Sequence, residues 1–132
     1  MTWASVFIVF YVSHLVGDYL VQTDWQARHK RGGLGHDRTA RKALLSHLTT
    51  YALSFVPALI WVSSQLHWKV LLILAVVAIP HMVQDDGRLL SVYVRKVKGL
   101  DAGSDRAIVV YVDQAFHMLA LLGAALLVSA LR

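Results

Sequence analysis

Apolar residues run along this chain in four long stretches, roughly 2–22, 40–66, 69–94 and 107–131, set apart by short polar segments. About 20 consecutive apolar residues carry one helix across a hydrocarbon core. The pattern therefore predicts an all-α protein: an integral membrane four-helix bundle forming one domain over residues 1–132. Residues 31–37 and 98–105 are rich in glycine and charge and read as loops. Only Ser63, Ser64, Gln65 and His67 separate the second and third stretches, so neighbouring helices are expected to run antiparallel, up and down. Pro57 and Pro80 fall inside their predicted helices, where each removes a backbone donor and favours a kink. The first stretch has no basic residue ahead of its apolar run and carries His14 and Asp18, so it is expected to be a retained helix and not a cleaved signal.

The polar exceptions inside these stretches are patterned. His14 and Asp18, His81 and Asp85, and Asp113 and His117 are each four residues apart, and the remaining stretch holds His47. Residues so spaced on a helix stand one above the other, so a histidine and an aspartate can grip one cation together. At about 1.5 Å rise per residue, His14 and His47 lie roughly 12 Å from the cytoplasmic ends of their helices, and Asp113 and His117 roughly 10 to 17 Å. Asp85 falls at a similar level, with His81 one turn deeper. All four helices thus deliver polar groups to one layer, and ionisable residues at such a depth are retained where they pair or bind something.

Composition narrows the chemistry. The chain is 57% hydrophobic with mean hydropathy +0.54, well above the usual soluble range. It has no cysteine, which excludes disulfides and thiolate ligands. Glutamate is also absent, leaving aspartate as the acidic side chain. The net charge of +5 could suggest nucleic acid. Yet Arg28, Lys30, Arg31, Arg38, Arg41 and Lys42 cluster at the first connection, and Arg88, Arg95, Lys96, Lys98 and Arg106 at the last, while only Lys69 and Arg132 lie at the opposite ends. Cytoplasmic loops carry such an excess. This places both basic loops in the cytoplasm and both termini outside the inner (cytoplasmic) membrane, with the lipid bilayer and no nucleic acid as partner. Trp3, Trp25, Trp61 and Trp68 near helix ends suit an interfacial aromatic belt. Oligomeric state is not encoded in any recognisable pattern.

His14, Asp18, His47, His81, Asp85, Asp113 and His117 are the expected metal ligands. They outnumber the three or four ligands of one catalytic zinc site. Either two ions bind, or some members orient the others. Imidazole with carboxylate suits zinc, manganese or iron. Gln22 and Asp24 at the cytoplasmic rim, Tyr51 one turn beyond His47, and Arg88 are polar groups within reach; Gln22, Tyr51 and Arg88 are candidates to bind substrate. Asp86 and Gln114 neighbour candidate ligands in sequence but point elsewhere on a helix. His29, His36 and His67 are assigned to loops.

The runs from His14 to Trp25, Leu44 to Tyr51, His81 to Asp85 and Asp113 to His117 resemble a bacterial family of small integral membrane proteins of unknown function, the one numbered 3307. The similarity spans nearly the whole chain, and the first run, with histidine, glycine, aspartate and then Gln22-Thr23-Asp24, is its most specific part. The arrangement is also similar in style to predicted membrane-bound metal-dependent hydrolases. The chain departs from the family pattern after the third-helix aspartate, where Asp86, Gly87 and Arg88 replace an aromatic or aliphatic residue followed by lysine.

The function expected from these features is metal-dependent hydrolysis of a lipid or lipid-linked phosphoester from the cytoplasmic side, with Asp18 or Asp24 as catalytic base. The alternatives are a haem-binding cytochrome with histidine axial ligands, a proton- or metal-conducting protein, and a structural membrane protein whose His and Asp pairs only pack. Haem is disfavoured by the aspartate companions, and a conduit by the scarcity of polar residues toward the outer side. The topology is directly testable. Single cysteines at Gly33 and Gly103 should react with a membrane-impermeant thiol reagent only in opened cells; labelling in intact spheroplasts would reverse the orientation.

Overall fold

The computed structural model describes residues 1–100 and 106–132. Among these, the regular structure is entirely helical. Helix α1, Trp3–Leu15, starts where Thr2 and Ser5 exchange capping hydrogen bonds, and it continues without a break as a π-helical segment, Val16–Val21. Thr23 and Gln26 form a second reciprocal cap that opens α2, Asp24–His29. Such caps satisfy backbone donors that helix ends leave free. Asp37 accepts from the N–H groups of Thr39 and Ala40 and starts α3, Arg38–Ser54.

The second apolar stretch is divided. Phe55 ends α3 and begins α4, Val56–Leu66, with Pro57 in the first turn. There the missing proline N–H has no intrahelical partner to lose, so Pro57 starts a helix and does not kink one. A 3₁₀ turn at His67–Lys69 leads into α5, Val70–Asp86, which contains Pro80. His67 has φ of +50°, a conformation uncommon for a residue with a Cβ, and it marks the turn. Val56, Leu59, Ile60 and Ser63 line one groove with Val70, Leu71 and Leu74 on the other side of that turn. Gly87, at φ +76°, stops α5 by a left-handed cap and releases the chain into α6, Arg88–Lys96. The third stretch therefore ends at Asp86 and not near residue 94. Helix α7, Arg106–Ala130, is the longest.

By length and composition, Trp3–Val21, Val56–Asp86 and Arg106–Ala130 are apolar enough to cross a membrane. Helix α3 falls outside that set, being 17 residues long with Arg38, Arg41 and Lys42 in its first turns. The loop over residues 31–37 is present, whereas residues 101–105 of the second expected loop, including Gly103, lie outside the described residues.

The core positions the site. Val6 and Phe10 of α1, Val62 and Leu66 of α4, Ile73 and Val77 of α5, and Leu121 and Val128 of α7 are all buried together. Each histidine of interest lies one helical turn from that core: His14 follows Phe10, His47 precedes Tyr51, His81 follows Val77 and His117 precedes Leu121. Because positions four apart share a helix face, the stripe that faces the apolar core also presents the histidines. The core comes before the histidine in α1 and α5 and after it in α3 and α7.

Close approach matters at Gly17. A Cβ there would lie 2.7 Å from Tyr51 Cδ2 and 2.8 Å from Ser54 Oγ. Gly17→Ala should therefore lower Tm in detergent, with an overpacking cost of about 1–3 kcal/mol. Gly123→Ala, where an added Cβ meets nothing within 4 Å, should leave Tm equal or slightly higher. Equal melting of both variants would remove the packing argument. Gly33 is similarly tight, with a Cβ 2.7 Å from the Ala40 carbonyl, so a cysteine reporter for the first loop is better placed at exposed His36.

Candidate metal centre

Three helical elements converge on Asp18, His47, His81 and Asp85. The π-helical segment carries Asp18, and its wider turn changes the direction of that side chain relative to an α-helical continuation of α1. Helix α3 supplies His47 and α5 supplies His81 and Asp85. One ligand atom from each of the four residues lies within 4.8 Å of all the others, and Asp18 and Asp85 side chains are only 8% and 3% exposed.

The distances have the pattern of a coordination shell. His47 Nε2 is 2.9 Å from Asp85 Oδ2, 3.2 Å from Asp18 Oδ1 and 3.1 Å from His81 Nε2. His81 Nε2 is 3.0 Å from Asp85 Oδ2 and 3.5 Å from Asp18 Oδ1. Tetrahedral zinc with bonds of about 2.0–2.2 Å separates its ligand atoms by about 3.3 Å. Yet Asp18 Oδ1 and Asp85 Oδ2 have no hydrogen bond of acceptable geometry. The two imidazoles hydrogen-bond each other, while the two carboxylate oxygens come close to both of them without a hydrogen bond. A buried polar atom left unsatisfied costs about 1–3 kcal/mol; Asp18 Oδ1 is such an atom, Asp85 Oδ2 is met by Lys30 Nζ at 2.8 Å, and a cation at the centre would engage both oxygens.

A second tier of residues surrounds this group. Tyr51 is buried, its ring stacked on His81 with centroids 3.4 Å apart, and its hydroxyl is 3.2 Å from His14 Nδ1. Gln22 reaches His47 Nε2 at 3.1 Å. His14 and His117 are fully buried beside the centre, with rings 5.2 Å apart. Asp113 is placed behind His117: its backbone carbonyl accepts from His117 Nδ1 at 2.9 Å, while its carboxylate is 3.9 Å from that nitrogen and one-quarter exposed.

Other expected site residues sit elsewhere. Asp24 lies on the exposed first turn of α2, paired with Arg28 at 2.8 Å. Arg88 is paired with Asp86 and points along a groove it shares with Arg31 and Arg95. Asp86 binds the first loop, its carboxylate accepting from Leu34 N–H at 2.8 Å and its carbonyl from Gly32 N–H at 2.9 Å. His29 belongs to α2, stacked on Trp25, and not to a loop.

Two contributors escaped the sequence reading. Lys30, counted there only as a loop cation, folds inward until Nζ is 2.8 Å from Asp85 Oδ2. Gln114, dismissed because it adjoins Asp113, accepts from His14 Nε2 at 3.1 Å. Its three-residue spacing from His117 was the available signal, since residues so placed share a helix face.

Lys30 sets a formal positive charge against Asp85, and removing one partner of a buried pair is costly, about 3–5 kcal/mol. Lys30→Met should accordingly lower the Tm of chelator-treated protein while tightening zinc binding several-fold, because the competing ammonium is gone. Thermal melting in detergent and competition titration measure the two effects; a variant unchanged in both would leave Lys30 no part in the charge balance of the centre.

No curated protein and no solved structure matches this chain. A family model does, over residues 6–131, a span that includes every helix contributing to the centre, and the chain belongs to the family described as Protein of unknown function (DUF3307).

Proposed function

We propose that this protein is a multi-pass inner-membrane, metal-dependent hydrolase that acts on a lipid or lipid-linked phosphoester from the cytoplasmic side. The convergence of Asp18, His47, His81 and Asp85 carries the reading. Zinc, manganese or iron suits that donor set. A divalent cation held there lowers the pKa of a coordinated water toward neutrality and polarises a phosphoryl oxygen. With Asp18 in the ligand shell and Asp24 out at the surface, Asp18 orients and charges the centre, and Gln22 and Lys30 stand beside it as hydrogen-bond donors.

The substrate class rests on the neighbouring surface. Arg28, Arg31, Arg95 and Arg106 line an open groove of about 900 Å³ together with Val94, Leu100, Val109 and Val110. Arginines over an apolar floor suit an anionic headgroup with a lipid tail. Lys30, next in sequence to Arg31 of the groove, reaches Asp85 of the cluster, and this short stretch of chain links the two.

In this reading α3 and α4 together form the fourth crossing, and the bundle runs up and down. The alternating order of core and histidine along α1, α3, α5 and α7 supports that arrangement. Exposed Ile8, Leu20, Ile60, Leu71 and Leu119 fit contact with lipid chains better than with water. Both termini then lie outside, opposite the basic loops.

A haem reading fares less well, because His47 and His81 nitrogens lie 3.1 Å apart with carboxylates at their sides, where a macrocycle would have to pass. A conduit needs a polar path beyond the centre, but Phe10, Phe55, Val77 and Leu121 are buried there.

Metal that binds only the folded state should stabilise it by about 2.7 kcal/mol at a hundredfold excess over Kd. Chelation should lower Tm in detergent, and zinc or manganese should restore it. Asp18→Ala and His81→Ala should lose that response, while His67→Ala keeps it. In vesicles, metal-dependent phosphate release from a lipid phosphomonoester should vanish in His81→Ala, and Arg31→Gln should raise KM more than it lowers kcat. Wild-type protein isolated without chelators that carries less than about a tenth of an equivalent of transition metal, and gains no stability from added ions, would reduce the cluster to hydrogen-bonded packing.

A further inference from the structure

The two carboxylates at the centre are each used on one side only. Asp18 presents Oδ1 to His47 and His81 and turns Oδ2 toward His14, whose Nδ1 is 3.5 Å away. Asp85 presents Oδ2 to the same pair and turns Oδ1 toward His117, whose Nε2 is 3.8 Å away. Two histidines thus stand on each face of one pair of carboxylates.

The outer histidines are prepared as ligands. His117 donates Nδ1–H to the Asp113 carbonyl, an atom that can only accept, so Nε2 carries a lone pair. That Nε2 is buried and has no hydrogen-bond partner. His14 donates Nε2–H to Gln114 Oε1, which leaves its Nδ1 lone pair facing Asp18. Metal-bound histidines are held in this way, with the far nitrogen tied to a carbonyl or carboxylate oxygen. The Tyr51 hydroxyl donates to His14 Nδ1 at 3.2 Å and occupies that lone pair in the absence of an ion.

We infer that the centre is dinuclear: one divalent ion held by His47, His81, Asp18 Oδ1 and Asp85 Oδ2, a second by His14, His117, Asp18 Oδ2 and Asp85 Oδ1, with both aspartates bridging. The inference deepens the metal-dependent reading above and rests on it. Carboxylates that bridge through both oxygens hold paired ions about 3.5–4 Å apart, the spacing that clamps the attacking and leaving oxygens of a phosphoryl displacement. Two divalent ions exceed the charge of two aspartates, and Lys30 adds to the excess. Such a centre favours an anionic substrate.

The test uses wild-type protein in detergent, stripped with chelator and reloaded with manganese alone. Bound metal is counted by elemental analysis, and low-temperature electron paramagnetic resonance reads whether the ions are magnetically coupled. Two equivalents with a coupled spectrum are expected. His117→Ala and His14→Ala should each hold one equivalent with the spectrum of an isolated ion, and Gln114→Leu should weaken the second equivalent and spare the first. One equivalent in the wild type, with an isolated-ion spectrum, overturns the second position and leaves a mononuclear site standing. No bound manganese, together with no response to zinc, overturns the metal reading and this inference with it. The wild-type count decides whether or not every variant folds.

Discussion

Two aspartates held among four imidazoles, in a protein otherwise packed with apolar side chains, set the terms for everything else in this fold. Bringing a carboxylate out of water is costly by several kcal/mol even after relaxation, so each must be met by charge or by donors. The protein meets the demand by geometry. Each of the four long helical paths brings one histidine to the same layer, and Lys30 comes in from the end of α2 to touch Asp85. Beside the layer the core is apolar in the main, with Phe10 against Phe55, and Tyr51 lies against the face of His81. Where helices lie in lipid there is no hydrophobic drive between them, and close packing with interhelical polar contacts holds them together. The centre is therefore part of what binds the helices to one another.

Much of this was legible because helical spacing is rigid. The pairs His14 with Asp18 and His81 with Asp85 had to share a face in any α-helix, and the placement of His47 and His117 at one depth followed from counting residues. Spacing could not reveal the π-helical segment, whose extra residue per turn leaves no mark on an apolar pattern, although Gly17 within it hints at a tight approach. It also failed for Asp113, which shares a face with His117 but meets it through its backbone and turns its carboxylate outward. Lys30 was invisible for a different reason. A long side chain in a charged loop reads as solvated, and only the fold of that loop reveals where its ammonium goes. The short α6 is hidden within the preceding apolar stretch, because a single glycine, Gly87, makes the left-handed stop and apolar residues resume directly after it.

The run Asp86-Gly87-Arg88 has a local structural explanation. Gly87 is needed for the left-handed cap, and a Cβ there would come 3.3 Å from Arg31 Nε. Asp86, pointing away from the centre, binds Arg88 on one side and the backbone of the first loop on the other. Adjacent aspartates on one helix end thus divide their work: Asp85 faces the histidine cluster and Asp86 faces the loop.

That division ties the length of the first loop to the chemistry of the centre. Connections between helices ordinarily tolerate added or lost residues, since they run over the surface with few obligations. Here Gly32 and Leu34 are hydrogen-bonded to Asp86 while Lys30, two residues earlier, reaches Asp85. Inserting even one residue between Lys30 and Leu34 would shift the ammonium relative to the carboxylate it serves. The glycines of this loop then measure a fixed distance, and the segment behaves as a ruler between two neighbouring aspartates, one structural and one chemical.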